Sequence, residues 1–221
     1  MTVQVETRQH DGGLAIDFPT LRRRRMMGLV NGVTVAALTG TGPDPLTRSG
    51  IVRGDIRWSF GTAHGIARGV PLTIRLRLIS ANSGRPLTGH AVYLWHGDRD
   101  GAYSLYSPGV AGQNYLRGVQ AADETGWATF TSIFPGAYRQ HWPHLHFEVH
   151  PGLGVAGPLL RGQIALPGDA CAQVYTTKGY EASRDRLHGA DPAGSDPHAL
   201  AMASVTGDLE RGFTATRTIN I

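Results

Sequence analysis

Residues 71–79 read Pro-Leu-Thr-Ile-Arg-Leu-Arg-Leu-Ile, a stretch with an apolar side chain at every second position. Successive side chains of an extended strand point to opposite sides, so this pattern gathers the apolar ones on a single face. That face consists of Leu72, Ile74, Leu76 and Leu78. One apolar and one polar face are typical of a sheet that covers a core on one side and contacts water on the other. The stretch therefore predicts a half-buried β-strand.

Similar strand patterns occur on both sides of this segment. They cover residues 51–58, 90–95, 126–133, 144–149 and 213–221. The chain also has 30 glycines and 13 prolines, residues that a helical bundle would avoid. We therefore expect an all-β fold, a β-sandwich of mostly antiparallel strands with long loops and little helix. Residues 180–203 lack an apolar period and are expected to form a long surface loop with a short helical turn.

Length and composition favour one domain. The 221 residues, 41% of them hydrophobic and 17% charged, are enough to bury one full core. No stretch reaches the roughly 18 consecutive apolar residues of a membrane-spanning helix, so we do not expect an integral membrane protein. Cys171 is the only cysteine, which excludes an internal disulfide framework and a zinc ribbon. We expect Cys171 to be a small buried hydrophobic residue.

The charge distribution argues against nucleic acid as a partner. The formal net charge is +4, and the run Arg22–Arg25 alone supplies four positive charges, so the rest of the chain has no net charge. A protein that binds phosphates needs cationic side chains spread over a folded face rather than gathered in one N-terminal cluster.

The first 43 residues are expected to be a leader and linker, and residues 44–221 the folded domain. The run Arg22–Arg25 precedes a weakly apolar stretch of small residues, as in a secretory signal, and paired arginines favour the twin-arginine route. We expect an exported, extracytoplasmic protein without a lipid anchor, because no cysteine lies near Leu38. The alternative is a cytoplasmic protein in which this segment is a short helix docked on the domain.

Two histidines occupy alternate positions of a predicted strand. His144 and His146 lie two residues apart, so their side chains share one face of the strand and can bind one metal ion. The alternative is a strand with two structural histidines. Tyr103 and Tyr138 lie in the preceding segments, and Tyr138 follows the turn predicted at residues 135–136.

The sequences WHGDRDGAYSLY (residues 95–106) and NYLRGVQAADETGWATFTSIFPGAYRQHWPHLHFEV (residues 114–149) resemble the core motif of the intradiol ring-cleavage dioxygenases. The resemblance extends over roughly residues 38–221, and the short chain, the leader and the Thr-rich final strand are most similar to the extracytoplasmic branch. It implies a non-haem Fe(III) enzyme that cleaves a catechol with O2, between the two hydroxylated carbons, to a cis,cis-muconate-type product. The implied iron ligands are Tyr103, Tyr138, His144 and His146.

This ligand set suits ferric iron. Fe(III) is a hard, highly charged ion that prefers anionic oxygen donors, and a coordinated tyrosine becomes a phenolate. A set of two imidazoles and two phenolates differs from the 2-His-1-carboxylate site that is typical of Fe(II). In the implied mechanism Tyr138 leaves the iron and takes a substrate proton, while Gln163 lies near the ring carbon that is attacked.

The chain departs from the family pattern at one position of the site. The family carries an arginine three residues before the first histidine ligand, where this chain has His141. His141, or Arg139 two residues earlier, is the candidate replacement. Tyr106 and Arg117 are candidate substrate contacts, with packing for the tyrosine and structural hydrogen bonding for the arginine as alternatives.

Two other functions compete with the dioxygenase. One is a catalytically weak or inactive sandwich that binds an aromatic or carbohydrate ligand, suggested by the missing arginine. The other is a zinc or copper module whose ligands are His144, His146 and His150. Association into a homo-oligomer is left open by the sequence.

Overall fold

The computed structural model describes residues 12–27, 49–138, 141–154, 157–187 and 201–221. Within these ranges it contains three helices and nine strands. The helices are α1 (Leu14–Met27), α2 (Gly168–Val174) and α3 (Glu181–Leu187). The strands are β1 (Pro71–Ile79), β2 (Ala91–Trp95), β3 (Arg117–Ala121), β4 (Trp127–Ile133), β5 (His144–His150), β6 (Leu160–Ala165), β7 (Ala201–Met202), β8 (Ser204–Asp208) and β9 (Gly212–Asn220).

The strands form two sheets that share one core. The four-stranded sheet has the order β4-β1-β9-β8, and the five-stranded sheet has the order β3-β2-β5-β6-β7. Most neighbouring strands are antiparallel, but β1 pairs with β9, and β6 with β7, in parallel. The main core cluster joins apolar side chains of both sheets. The expected all-β sandwich is therefore confirmed.

The alternation of β1 has the predicted structural result. Its four apolar side chains are at most 1% exposed, whereas the side chains between them are half-buried or exposed. Burying each such side chain contributes roughly 1.5–3 kcal/mol to folding. Cys171 is also fully buried, as expected, and burial raises the pKa of its thiol to about 12.

The segment expected to be one long loop is more ordered at both ends. Its first part is α3, a seven-residue helix, and its last residues form β7, which pairs with β6. Residues 188–200 lie outside the described residues. Helix α3 has no apolar stripe that the sequence pattern could reveal. Its one fully buried side chain is Ser183, which docks the helix through hydrogen bonds.

Helix α1 packs on the outer face of the five-stranded sheet. Asp17 and Leu21 are buried, and the backbone N–H of Leu14 donates to Glu148 Oε2 in β5 at 2.9 Å. Burial opposes ionisation of Glu148, but the nearby His150 and hydrogen bonds from the Leu14 N–H and Arg161 outweigh it and hold its pKa below the usual range. Residues 14–27 thus form a docked helix, which was the alternative interpretation of the N-terminal segment. The domain boundary at residue 43 and the export of the protein stay predictions.

None of the helices in the described ranges combines the length and apolar character that crossing a bilayer requires.

Candidate metal centre

Strand β5 is buried along its whole length because it is covered on both sides. Leu145, Phe147 and Val149 belong to the core between the sheets. The alternate side chains, those of His144, His146, Glu148 and His150, face the outer side of the sheet, where α1 and the loops after β2 and β4 cover them. The predicted shared face of the two histidines is therefore confirmed.

His146 lies in a row of paired residues that crosses the five-stranded sheet. Arg117 in β3 pairs with Trp95 in β2, Trp95 pairs with His146, and His146 pairs with Gln163 in β6. Paired residues of antiparallel strands present their side chains on the same face. The Trp95 and His146 rings stack at 4.9 Å with an angle of 10° between their planes. This stacking fixes the orientation of the imidazole, and the pairing places the half-buried Gln163 beside it.

Three of the four predicted metal ligands meet at one atom. Tyr103 Oη lies 3.1 Å, and His144 Nε2 lies 2.9 Å, from His146 Nε2. All three side chains are less than a tenth exposed. The ring of Tyr138 meets the ring of Tyr103 edge-on at 5.5 Å between centroids. The structure thus gathers two imidazoles and two phenols from residues 103–146, and Tyr103 lies 43 residues before His146 in the chain.

The hydrogen bonds of His144 determine where its free electron pair points. His144 Nδ1 lies 2.6 Å from the carbonyl oxygen of Trp142, which only accepts, so Nδ1 carries the proton. Nε2 therefore presents a lone pair toward Nε2 of His146. A backbone carbonyl that fixes the second nitrogen in this way is typical of metal-bound histidine. Two imidazole nitrogens this close need a proton or a cation between them, so the arrangement fits a metal ion.

The donor set also fits ferric iron rather than a site made of carboxylates or thiolates. Within the described ranges, no group of three His, Cys, Asp or Glu side chains is placed to hold a metal ion. The phenol oxygen of Tyr103 lies beside His146, and the ring of Tyr138 packs against the Tyr103 ring. Phenolate oxygen is a hard anionic donor, which matches the preference of Fe(III).

His150 is separated from the histidine pair. It lies four residues beyond His146 on the same strand, which at about 3.3 Å per residue is roughly 13 Å. Its Nε2 lies 3.4 Å from Glu148 Oε2. A zinc or copper site built from His144, His146 and His150 therefore has no geometric support.

A tight turn before Tyr103 aims this side chain at the histidines. Asp98 accepts hydrogen bonds from the backbone N–H groups of Asp100 and Ala102, at 3.0 and 2.9 Å. The backbone N–H of Asp98 donates to the carbonyl of Ala102, which closes the turn. Burial raises the pKa of Asp98. The turn also needs Gly101, whose φ is +77°, because a β-carbon there would overlap the carbonyl oxygen of Ala137.

His141, which replaces the arginine of the family pattern, lies beside the second tyrosine. Its ring is nearly parallel to the Tyr138 ring at 6.1 Å, and it meets the His144 ring edge-on at 6.5 Å. Its backbone N–H donates to the carbonyl of Tyr138 at 2.9 Å. His141 thus borders the donor cluster, and its role in place of the arginine stays a prediction. Arg139, the other candidate replacement, lies outside the described residues.

Arg117 and Tyr106, the candidate substrate contacts, are engaged inside the protein. The Arg117 side chain has no exposure and forms an ion pair with Asp17. It also donates to Tyr93 Oη at 3.0 Å and to the hydroxyl and carbonyl oxygens of Ser104. The Tyr106 hydroxyl donates to Asp17 as well. The structural alternative therefore describes both residues: they bind helix α1 and the Ser104 loop rather than facing an open pocket.

Asp17 is the functional neighbour that the sequence prediction missed. It lies in the segment expected to be a leader, and its partners are about 76 to 100 residues away in the chain. The only local signal is an acidic residue in the first turn of a helix, where the helix dipole favours negative charge.

Comparisons with known proteins point in the same direction. Residues 61–144 match the family model described as dioxygenase. Chlorocatechol 1,2-dioxygenase from Rhodococcus opacus is 43% identical over 114 residues, which cover 42% of this chain and 44% of that protein. The chain therefore matches less than half the length of this relative. The matched family segment contains Tyr103, Tyr138 and His144.

A solved structure shows the same fold. The intradiol ring-cleavage dioxygenase from Tetranychus urticae superimposes with a TM-score of 0.63 at 22% sequence identity. The superposition covers 77% of this chain and 86% of that one. Neither comparison bears on the extracytoplasmic branch, which stays a prediction.

Proposed function

Starting from the kinship of this chain with the intradiol ring-cleavage dioxygenases, we propose that it is a non-haem Fe(III) enzyme that opens the ring of a catechol. Both atoms of O2 enter the product, a cis,cis-muconate-type diacid. The observation that carries the proposal is the convergence of Tyr103 Oη and His144 Nε2 on His146 Nε2. Two phenols on two imidazoles are a donor set that favours ferric iron.

The iron would be held by Tyr103, Tyr138, His144 and His146. When bound there, it supplies a Lewis acid that accepts charge from both catechol oxygens and makes the ring reactive toward O2. The Trp142 carbonyl keeps the Nε2 lone pair of His144 on the metal side. Trp95 holds the His146 ring by stacking, so neither imidazole needs to reorient on binding.

The residues around this set have separate roles. Tyr138 is the proposed acceptor of a substrate proton, because phenolate oxygen is basic enough to take a proton from a catechol hydroxyl. His141 lies parallel to the Tyr138 ring and orients it. Gln163, paired with His146 across β5 and β6, offers an uncharged amide to the ring carbon where oxygen is inserted. Its dipole needs no change of protonation state to interact with the substrate.

The test is the visible absorption spectrum of purified protein with an assay of its iron, before and after anaerobic addition of catechol. We expect about one iron per chain, a phenolate-to-iron charge-transfer band, and a shift of that band to longer wavelength with catechol. Tyr103→Phe and Tyr138→Phe should each weaken or abolish the band. The matched control is Tyr180→Phe, which removes a buried hydroxyl that donates to the carbonyl of Phe134.

A folded protein that stays colourless after reconstitution with Fe(III) would overturn the proposal. Oxygen uptake with catechol then separates an active enzyme from a weak or inactive one that holds iron.

A further inference from the structure

We propose that helix α3 is a clamp that sets the spacing of the two metal-binding tyrosines, through the side chains of Ser183 and Arg186. The inference rests on the proposed function, since it takes Tyr103 and Tyr138 as ligands of the metal. Each tyrosine ends a short loop: residues 98–103 form the first tyrosine loop, and residues 135–138 form the second tyrosine loop.

The Ser183 hydroxyl joins the two loops directly. It donates to the carbonyl of Arg99 at 2.7 Å and accepts from the backbone N–H of Ala137 at 3.1 Å. Ser183 has no solvent exposure, so no water replaces these bonds if the hydroxyl is removed. Its removal leaves a buried carbonyl and a buried N–H without partners, which disfavours the arrangement that holds the two loops together.

Arg186 makes a second bridge one turn further along the helix. Its Nη1 donates to the carbonyl of Asp100 at 2.6 Å and to the carbonyl of Ala137 at 3.0 Å. One nitrogen therefore contacts both loops, as the Ser183 hydroxyl does. The two side chains lie three positions apart on the helix, which places them on the same face.

The backbones of the two tyrosine loops are in direct contact. The backbone N–H of Gly136 donates to the carbonyl of Asp98 at 2.8 Å. A β-carbon at Gly101 would overlap the backbone of Ala137, and one at Gly136 would overlap the carbonyl oxygen of Arg99. The backbone contacts limit how closely the two loops approach. The hydrogen bonds from α3 hold one loop in a fixed position relative to the other. Any shift between them moves Tyr103 relative to Tyr138, whose rings are 5.5 Å apart.

Ser183 and Arg186 are thus positioning residues, since they act on the metal through the two tyrosine loops. Removal of groups that orient metal ligands typically weakens metal binding by about 10–100-fold. Loosening the clamp should also change the overlap of the phenol oxygens with the metal, which alters the energy of the charge-transfer band.

The experiment measures Fe(III) loss to a competing chelator, and the position of the charge-transfer band, in Arg186→Ala, Arg186→Lys and Ser183→Ala. We expect about 10–100-fold weaker retention of Fe(III) and a shifted band in Arg186→Ala and Ser183→Ala, with partial recovery in Arg186→Lys. The matched control is Arg184→Ala, which removes a cation from the exposed side of the same helix, near Asp185.

Arg186 is exposed, so Arg186→Ala should fold and keeps the test decisive if Ser183→Ala does not. Wild-type affinity and an unshifted band in Arg186→Ala, with coloured wild-type protein, would overturn the clamp and leave the proposed function standing. A wild-type protein that takes up no Fe(III) would instead overturn the proposed function, and the clamp with it.

Discussion

Asp17 of helix α1 and Arg117 of strand β3 form an ion pair in which neither side chain has any solvent exposure. The Tyr93 hydroxyl also donates to Asp17, and burial raises the pKa of Tyr93 well above its ordinary value, so this hydroxyl stays protonated. The Asp17 carboxylate faces Arg117 and the hydroxyls of Tyr93 and Tyr106, and Arg117 also donates to Ser104. The pair therefore ties the N-terminal helix to the sheet that carries the donor cluster.

Replacing Asp17 should strongly destabilise the protein. Asp17→Asn keeps the size of the side chain but leaves the Arg117 charge buried without compensation, which costs about 3–5 kcal/mol. The measurement is the free energy of unfolding in denaturant. The matched control is Ile16→Ala on the exposed side of α1, which should change it by less than 1 kcal/mol. A loss for Asp17→Asn as small as that of the control would show that the pair does not hold the helix.

The docking of α1 also predicts what happens to the N-terminal segment in cells. Cleavage after residue 27 would remove Asp17 and the Leu14 N–H, and leave Arg117 and Glu148 without these partners. We therefore expect the mature protein to retain α1. Mass spectrometry of protein isolated from its source determines the first residue. A mature chain that begins after residue 27 would contradict this expectation and favour a removable leader.

Gly101→Ala should harm both stability and metal binding. At a φ of +77° any non-glycine residue is strained by roughly 1–2 kcal/mol, and the added methyl group would also push against the second tyrosine loop. Gly109→Ala is the matched control, since its φ is +82° but no atom lies near the added methyl group. We expect the control to lose only the strain energy and to keep wild-type Fe(III) affinity. Equal effects of the two substitutions would argue against contact between the loops.

His96 should make folding less favourable as the solution becomes acidic. Burial lowers its pKa to about 4 from the ordinary 6.5, and its ring is held between the Gly97 carbonyl and the Ser132 hydroxyl. In the unfolded chain the His96 ring becomes protonated below pH 6.5, whereas in the folded chain it becomes protonated only below about pH 4. Above pH 6.5 His96 therefore has no effect on the pH dependence of the free energy of unfolding. Between pH 6.5 and 4 that free energy falls by about 3 kcal/mol in all.

The measurement is the free energy of unfolding of the metal-free protein across this range. His96→Gln should flatten the curve between pH 6.5 and 4. His64→Gln, which removes an exposed histidine, is the matched control. Parallel curves for wild type and His96→Gln would contradict the prediction.

The sequence predicted well the features that depend on neighbouring residues, such as the strands and the orientation of their side chains. Alternation in residues 71–79 determines which face of β1 is buried, and alternation in residues 144–150 places His144 and His146 on one face of β5. Both follow because the strand period is a property of the backbone alone. The partners of Asp17 and Ser183 could not be predicted in this way. Asp17 meets Arg117 only after the chain has folded. Ser183 binds a backbone carbonyl and a backbone N–H, groups that have the same chemistry at nearly every residue.

The same limit explains why the sequence left two alternatives for Arg117. An arginine beside a site motif carries no signal of whether its partner is a substrate or an acid in another element. The two alternatives differ only in burial, and burial here depends on a helix that lies outside the strand pattern.

Strand β9 lies between β1 and β8, and its pairing with β1 is parallel. The strands β8 and β9 form a hairpin at the end of the chain, and β9 is the strand that covers this edge of β1. Strand β1 therefore keeps an open edge while the chain is synthesised from residue 80 to residue 212. Contacts that must wait for so distant a segment slow folding, and an uncovered strand edge favours association with other chains. Yield of folded protein should thus depend on how long the nascent chain is protected, and less on the stability of the finished sandwich.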